Sequence, residues 1–166
     1  MLLKPHIKLK RVTDITPQIL KKYNIDSLIL DVDNTLSTHH GEILTDGLPE
    51  WLEMMHENGI KLIVLSNSKE RRVKPFAEKI GLPFISLGLK PLPFGYIRAL
   101  KMAESRRKNT AIVGDQIFTD VLGGRCVGVK TILLTPIKLE TTAGFRFKRK
   151  IETYVYKLHK IEDMEV

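Results

Sequence analysis

The stretch SLILDVDNTLS, residues 27–37, joins a short apolar run to two carboxylates one residue apart. Residues 28–30 are typical of a strand buried on both faces of a parallel sheet. Asp31 and Asp33 follow directly, and they would repel each other in a partly dry crevice unless a cation or a shared proton compensated them. Open α/β sheets bind ligands outside the carboxyl ends of their strands. The stretch therefore predicts a divalent-metal site that handles phosphate.

Apolar runs and helical spacing alternate along the rest of the chain. Apolar runs that end in polar or turn residues predict further strands at 61–65, 83–87, 110–113 and 129–134. Helical spacing predicts helices at 48–58, 69–80, 94–104 and 118–126. This alternation indicates βαβ units with right-handed crossovers. The predicted fold is a three-layer, Rossmann-like α/β domain with a parallel sheet, over residues 27–143.

We expect residues 1–26 to form a basic arm with a short helix before this core. Alternation within residues 7–12 predicts either a short edge strand or an extended arm. Thr16 and Pro17 then predict the cap and first position of a short helix that reaches about Tyr23.

Residues 144–166 combine basic residues with an apolar stripe. The stripe comprises Phe147, Ile151, Tyr154, Val155 and Leu158. A basic amphipathic helix can lie in a membrane interface, and it can equally pack its apolar face on the domain. Both interpretations stay open at this point.

Charge and cysteine content narrow the class of protein. Most of the net charge of +8 belongs to residues 1–22 and 144–166, which indicates an anionic partner such as lipid or nucleic acid, or simply a solubilising face. The single cysteine, Cys126, excludes an intramolecular disulfide framework and indicates a reducing compartment. No apolar run is long enough to span a membrane, and Lys4 interrupts the apolar start. We therefore expect a soluble, cytoplasmic protein.

Polar side chains follow four of the five strands predicted within the core. They are Asp31, Asp33 and Thr35 after the first strand, Ser66 and Asn67 after the second, Lys90 after the third, and Asp115 with Asp120 after the fourth. The carboxyl ends of parallel strands lie along one edge, so these groups can meet in one pocket. Phosphoryl transfer requires a nucleophile, a proton donor, a cation and donors to the phosphoryl oxygens. Carboxylates, lysine and serine are the side chains that supply them, and Mg²⁺ prefers such oxygen ligands.

The motifs DVDNT at 31–35, LSNS at 65–68, KPLP at 90–93 and GDQIFTD at 114–120 resemble the four motifs of the haloacid dehalogenase-like phosphatases, in the same order. The resemblance implies that Asp31 is the nucleophile and Asp33 the general acid and base, supported by Thr35. It also implies that Ser66, Asn67 and Lys90 bind phosphate. Mg²⁺ would be held by Asp31, Asp115 and the backbone carbonyl of Asp33, with Asp120 as an outer or alternative acid.

The spacing of the motifs implies an uncapped enzyme. Only 32 residues separate Asp33 from Ser66, and 23 lie between Ser66 and Lys90, too few for a cap domain at either place. Uncapped members of this superfamily typically act on bulky substrates. Within it the sequence resembles the YqeG family, similar to the mitochondrial phosphatidylglycerophosphate phosphatases. That similarity implies a phospholipid head group as substrate, with peripheral contact at the inner face of an anionic membrane.

Alternative functions stay open. The same chemistry would serve a phosphatase of nucleic-acid ends, phosphoproteins or soluble metabolites, although nucleic acid is the less favoured partner. A basic protein that binds nucleic acid or membrane on this fold without catalysis is the alternative of another class.

Several further residues have two interpretations. Arg71, Arg72 and Lys74 follow the second motif and either rim the site or form a solvated helix face. Trp51 is interpreted as helix packing and Cys126 as a small core residue. His39 and His40 are interpreted as part of a polar loop rather than as metal ligands.

Overall fold

The structure, a computed structural model, describes residues 2–38, 43–137 and 143–159, and in the last range it describes the side chains of residues 144 and 150–158. His39 and His40 lie outside these ranges. The strands are β1 (Ile7–Leu9), β2 (Ser27–Leu30), β3 (Lys61–Leu65), β4 (Phe84–Ile85), β5 (Thr110–Gly114) and β6 (Lys130–Leu134). The α-helices are α1 (Pro17–Lys22), α2 (Leu48–Glu57), α3 (Glu70–Lys79), α4 (Pro93–Met102), α5 (Leu122–Val127) and α6 (Ala143–His159).

All strand pairs in the sheet are parallel, and the strand order is β1-β6-β5-β2-β3-β4. This confirms the predicted three-layer α/β fold. Residues 7–9 form an edge strand, in register with β6 from Ile7 opposite Ile132 to Leu9 opposite Leu134. The arm before the core therefore contributes a strand to the same sheet.

Side chains of β2 alternate between the two faces of the sheet, as the two-residue period of a strand requires. Leu28 and Leu30 belong to one apolar cluster, which includes side chains of α2 and α3. Ile29 belongs to a second cluster, which includes side chains of α4. Trp51 is buried in the first cluster, as predicted, and its Nε1–H donates a hydrogen bond of 2.8 Å to the Ile15 carbonyl. The sheet is thus covered on both faces.

Local sequence accounts for the start of α1. Thr16 is its N-cap, and the Thr16 Oγ1 accepts a hydrogen bond of 3.3 Å from the Ile19 amide, which satisfies one of the otherwise free donors of the first turn. Pro17 occupies the first helical position, where its missing N–H costs nothing.

Two predicted elements differ from those observed. The strand predicted at 83–87 is limited to Phe84–Ile85, because Leu87 has a φ of +47° and cannot continue a strand. The helix predicted at 118–126 begins as a π-helical turn, Ile117–Val121, and continues as α5. Cys126 is exposed on α5, so its interpretation as a core residue is wrong.

The C-terminal helix α6 packs on the core through a narrower face than the predicted stripe. Val155 is buried with Ile117, Val121 and Leu133. Glu152, 1% exposed, accepts a hydrogen bond of 2.9 Å from the Ile117 amide. The other stripe residues with described side chains are exposed, namely Ile151, Tyr154 and Leu158. None of the helices in the described part of the chain is long and apolar enough to cross a bilayer.

Candidate active site

The carboxyl ends of the three central strands lie level with one another. Leu30 of β2 is in register with Val64 of β3 and with Val113 of β5. The Asp31 amide extends the ladder by donating a hydrogen bond of 2.9 Å to the Val113 carbonyl. The residues that follow these strands are therefore neighbours at one edge of the sheet, as the sequence predicted.

Lys90 lies between two buried carboxylates. Its Nζ donates a hydrogen bond of 2.6 Å to Asp31 Oδ1 and another of 2.7 Å to Asp120 Oδ1. Burial alone would lower the pKa of the Lys90 ammonium, but the charges of Asp120 and Asp31 outweigh it and raise that pKa. Burial raises the pKa of Asp31 to about 7, against the opposing charge of Lys90. Lys90 therefore stays charged and holds the two acids in place.

Three carboxylates form a possible metal site. Oxygens of Asp31, Asp115 and Asp120 lie within 4.8 Å of one another, and all three residues are buried. With Lys90 as the cation between two of them, the ionised group has a net charge of about −2, which a divalent cation would neutralise. An all-oxygen donor set suits a hard cation such as Mg²⁺. The residues present therefore fit a divalent metal.

Arg72 contacts the second acid of the first motif. The Arg72 Nη2 donates a hydrogen bond of 2.5 Å to Asp33 Oδ1, and Nη1 donates one of 3.2 Å to Ser68 Oγ. Of the three basic residues that follow the second motif, Arg71, Arg72 and Lys74, only Arg72 contacts a motif acid among the described residues. Arg71 is exposed and Lys74 pairs with Glu78 along α3 at 4.0 Å. Nothing in the sequence distinguishes Arg72 from Arg71 and Lys74, because all three are basic residues shortly after the same motif.

The second motif positions the loop that carries Lys90. The Asn67 Oδ1 accepts a hydrogen bond of 2.7 Å from the Lys90 amide, and Asn67 Nδ2 donates one of 3.1 Å to the Lys90 carbonyl. Ser66 is 3% exposed, and its Oγ accepts a hydrogen bond of 3.1 Å from the Ser68 amide. The Ser66 hydroxyl can still donate its own hydrogen toward a phosphoryl oxygen. Asn67 thus acts on the Lys90 backbone, a role that the sequence did not indicate.

Thr35 does not make the expected contact with Asp33. It is 2% exposed, and its Oγ1 has no hydrogen-bond partner among the residues that the structure describes. Arg72, rather than Thr35, holds the Asp33 carboxylate in this conformation.

Gly114 allows Asp120 to approach the end of β5. A Cβ on Gly114 would lie 2.3 Å from Asp120 Cγ and Oδ2, far inside contact distance. The Asp120 Oδ2 also accepts a hydrogen bond of 3.2 Å from the Gln116 amide. The glycine of the fourth motif is therefore needed for the carboxylate cluster, a requirement that becomes visible only in three dimensions.

An open cavity of about 540 Å³ lies beside the first motif. Its lining includes Thr35 together with two cations, Lys10 and Arg11, and apolar side chains such as Ile43 and Ile137. Within the described residues, only a loop, α2 and β3 lie between the first two motifs, and no cap domain covers the strand ends. The cavity therefore combines cations and apolar walls beside Thr35.

The chain belongs to the haloacid dehalogenase-like hydrolase family, whose profile matches residues 18–128. It is 41% identical over 143 residues to the probable phosphatase YqeG of Bacillus subtilis, an alignment that covers 86% of this chain and 83% of the relative.

Solved structures of phosphatases share the fold. A 4-nitrophenylphosphatase from Thermotoga maritima aligns with a TM-score of 0.59 and 14% identity, over 73% of this chain and 89% of that one. The cobalt-bound deoxy-D-mannose-octulosonate 8-phosphate phosphatase of Haemophilus influenzae aligns with a TM-score of 0.53 and 17% identity, over 82% of this chain and 90% of that one. The family profile, the similarity to a probable phosphatase and the fold shared with known phosphatases show that this chain is a phosphatase.

Proposed function

We propose that the chain hydrolyses phosphomonoesters through a covalent phosphate on Asp31. An Asp31 oxygen attacks phosphorus, the P–O bond to the leaving alcohol breaks, and Asp33 gives that alcohol a proton. Water then attacks the aspartyl-phosphate, Asp33 takes a proton from it, and inorganic phosphate leaves. The observation that carries this proposal is the convergence of Asp31, Lys90 and Asp120 through two short hydrogen bonds.

The positions of the other side chains support distinct roles in these steps. Lys90 and Ser66 would bind phosphoryl oxygens; this is supported by the ion pair of Lys90 with Asp31 and by the burial of both residues after the strands. Arg72 restrains Asp33, so the acid step requires the Asp33 carboxyl to leave that guanidinium and carry a proton. Asn67 fixes the backbone of Lys90, and with it the position of the ammonium group.

We propose Mg²⁺ as the cofactor, held by Asp31, Asp115 and the Asp33 carbonyl, with Asp120 as an outer or alternative acid. When bound, the cation would offset the negative charge of the phosphoryl group during transfer. Support comes from the buried carboxylate cluster and from the cobalt-bound state of the Haemophilus relative. Chelation should abolish hydrolysis, added Mg²⁺ should restore it, and Mg²⁺ should also raise the melting temperature of the chelated protein.

The nucleophile is tested with two substitutions at opposite ends of β2. Asp31→Asn should lower kcat by at least ~10³-fold, because the amide cannot form the covalent intermediate. Asp26→Asn, just before the strand and exposed, should leave kcat unchanged. Circular dichroism and melting temperature would verify that both variants fold. An active, folded Asp31→Asn protein would refute the assignment.

For the substrate we propose a lipid phosphomonoester, phosphatidylglycerophosphate, converted to phosphatidylglycerol. Support comes from the uncovered strand ends and from the cavity beside Thr35, which combines apolar walls with two cations. Lys10 and Arg11 would meet the phosphodiester of such a lipid, which a simple phosphomonoester lacks.

Phosphate release from phosphatidylglycerophosphate, 5′-phosphorylated oligonucleotides, phosphopeptides and sugar phosphates would rank the alternatives. The lipid should give the highest kcat/KM. Lys10→Ala/Arg11→Ala should lower kcat/KM for the lipid about tenfold and leave 4-nitrophenyl phosphate hydrolysis unchanged. A preference for oligonucleotides or sugar phosphates would exclude the lipid substrate while retaining the phosphatase. A folded, metal-loaded protein without any turnover would favour a binding protein.

A further inference from the structure

Four large apolar side chains near Lys90 are exposed to solvent. They form what we call the apolar rim, made of Leu87, Leu89, Leu92 and Phe94, which are 54%, 55%, 51% and 60% exposed. All four lie within four residues of Lys90, which is itself 6% exposed. Lys90 is therefore flanked by exposed apolar side chains, three in the loop before α4 and one, Phe94, in the first turn of α4.

The loop that carries the apolar rim is fixed against the second motif. The Leu87 amide donates a hydrogen bond of 3.0 Å to the Ser68 carbonyl, and the Gly88 amide donates one of 2.9 Å to the Ser66 carbonyl. These bonds hold the first part of the rim's segment against the residues that follow β3.

The backbone of the rim is unusual for leucine. Leu87 and Leu89 have φ values of +47° and +54°, in the left-handed region that favours glycine. Two leucines therefore occupy a disfavoured backbone conformation and also leave their side chains in water. Such outliers concentrate at functional sites, where the surrounding structure holds them in place.

The position of the rim restricts what can cover it. The rim belongs to the segment of Lys90, whose Nζ contacts Asp31, so a surface that covers the rim and itself carries a phosphate would bring that phosphate near Asp31. Two exposed cations, Lys69 and Arg71, lie at the start of α3. They follow directly after residues 66–68, to which the loop before Lys90 is hydrogen-bonded. Apolar side chains flanked by cations suit the interface of an anionic bilayer.

We propose that the apolar rim inserts into the interface of an anionic lipid bilayer and so presents a lipid phosphomonoester to Asp31. The inference rests on the proposed function, since it takes Asp31 and Lys90 as the reacting site. It differs from contact through the basic C-terminal helix, because α6 uses Glu152 and Val155 to pack on the core.

The test compares two exposed residues at opposite ends of α4. Phe94→Ser removes a rim side chain, and Leu92→Ser/Phe94→Ser removes two while placing serine, a favourable cap, at the N-cap position. Met102→Ser, 48% exposed at the far end of the same helix, is the matched control. Each protein is sedimented with vesicles of phosphatidylcholine and phosphatidylglycerol. Each is also assayed on soluble 4-nitrophenyl phosphate and on phosphatidylglycerophosphate in the same vesicles.

The double variant should lose about tenfold in vesicle binding and in turnover of the vesicle-borne lipid, because apolar area in the interface is lost. Its turnover of 4-nitrophenyl phosphate should stay within about twofold of the native chain, as should every activity of Met102→Ser. Vesicle binding that survives in the double variant would overturn the proposal. So would binding lost only in Tyr154→Ser/Leu158→Ser, or an oligomer that dissociates on Phe94→Ser.

Failure of the proposed function gives a different pattern. A native chain that hydrolyses no soluble phosphomonoester with Mg²⁺ present would refute the reaction, and vesicle sedimentation would still measure the rim by itself. A native chain that hydrolyses 4-nitrophenyl phosphate but binds no vesicles would refute the rim alone.

Discussion

Lys90 is the residue on which the charge balance of the site depends. Its ammonium lies between Asp31 and Asp120, and all three are buried. Without that ammonium, two buried carboxylates would face each other with no cation between them. Removing one partner of a buried, hydrogen-bonded charge group is much more costly than removing an exposed charge.

We therefore expect Lys90→Met to lower the free energy of unfolding by about 3 kcal/mol in metal-free buffer, measured by urea denaturation. Mg²⁺ should recover part of that loss, since it supplies positive charge to the same carboxylates. Lys61→Met, where the lysine is exposed, should change the free energy by less than about 0.5 kcal/mol. Equal stability of the Lys90→Met and native proteins would contradict this charge balance.

Gly114→Ala should also disturb the cluster of Asp31, Asp115 and Asp120, here through Asp120. The Cβ of Gly114→Ala would collide with the Asp120 carboxylate, which must then move away from Lys90. We expect the affinity for Mg²⁺ to fall about tenfold or more, measured by titration calorimetry. Gly144→Ala, where a Cβ meets nothing within 4 Å, is the control. Unchanged Mg²⁺ affinity in Gly114→Ala would exclude Asp120 from the cluster's function.

At the scale of elements, the sequence predicts the repeating parts well because they depend on local pattern. The apolar run 28–30 becomes a buried central strand, and its neighbours follow from the same signal. The predicted motif residues Asp31, Lys90 and Asp120 meet because parallel strands end at one edge.

Tertiary contacts decide what the local pattern cannot. The strand predicted at 83–87 stops early because the loop folds back onto Ser66 and Ser68. The contact between Arg72 and Asp33 joins residues 39 apart, and no local spacing indicates it. The apolar stripe of residues 144–166 left open whether this segment packs on the core or lies at a membrane. Contacts distant in sequence show that α6 packs through Val155 and that Glu152 accepts a hydrogen bond from the Ile117 amide.

The packing of α6 leads to a prediction about this element. Val155→Ala should lower the free energy of unfolding by about 1–3 kcal/mol, because it leaves a cavity against Ile117 and Leu133. Leu158→Ala, on the same helix but 62% exposed, should change it by less than about 0.5 kcal/mol. Chemical denaturation would measure both. A larger effect of Leu158→Ala than of Val155→Ala would mean that α6 packs by its other face.

At the scale of the whole molecule, His6 joins the first strand to the last. The His6 amide donates a hydrogen bond of 3.0 Å to the Thr131 carbonyl, and Arg125 Nη1 lies 2.9 Å from His6 Nε2. Burial, with the charges of Arg125 and Lys130, lowers the pKa of His6 to about 4 from 6.5. The ring is therefore neutral at physiological pH.

This lowered pKa makes stability depend on pH. Between about pH 6.5 and 4 the unfolded chain binds a proton at His6 that the folded chain does not, so acid favours unfolding there. The stability that neutral His6 allows the folded chain is complete above pH 6.5 and is lost as the pH falls toward 4. Because the His6 side chain is only partly buried, solvent screens its interactions, and we expect a loss of stability of about 1 kcal/mol. Urea unfolding at several pH values would measure this. Between pH 6.5 and 4 the free energy of unfolding should fall by about 1 kcal/mol less in His6→Gln than in the native protein. An identical pH dependence in the two proteins would contradict the lowered pKa of His6.

The pairing of β1 with β6 also determines the order in which the chain can assemble. Residues 7–9 have their only sheet neighbour, within the described residues, in a strand more than 120 positions later. During synthesis Ile7 and Leu9 therefore stay exposed until β6 has left the ribosome, whereas β2 and β3 can pair earlier. We expect β1 to be the last strand to pair, at the edge of a sheet whose other strands are already in place.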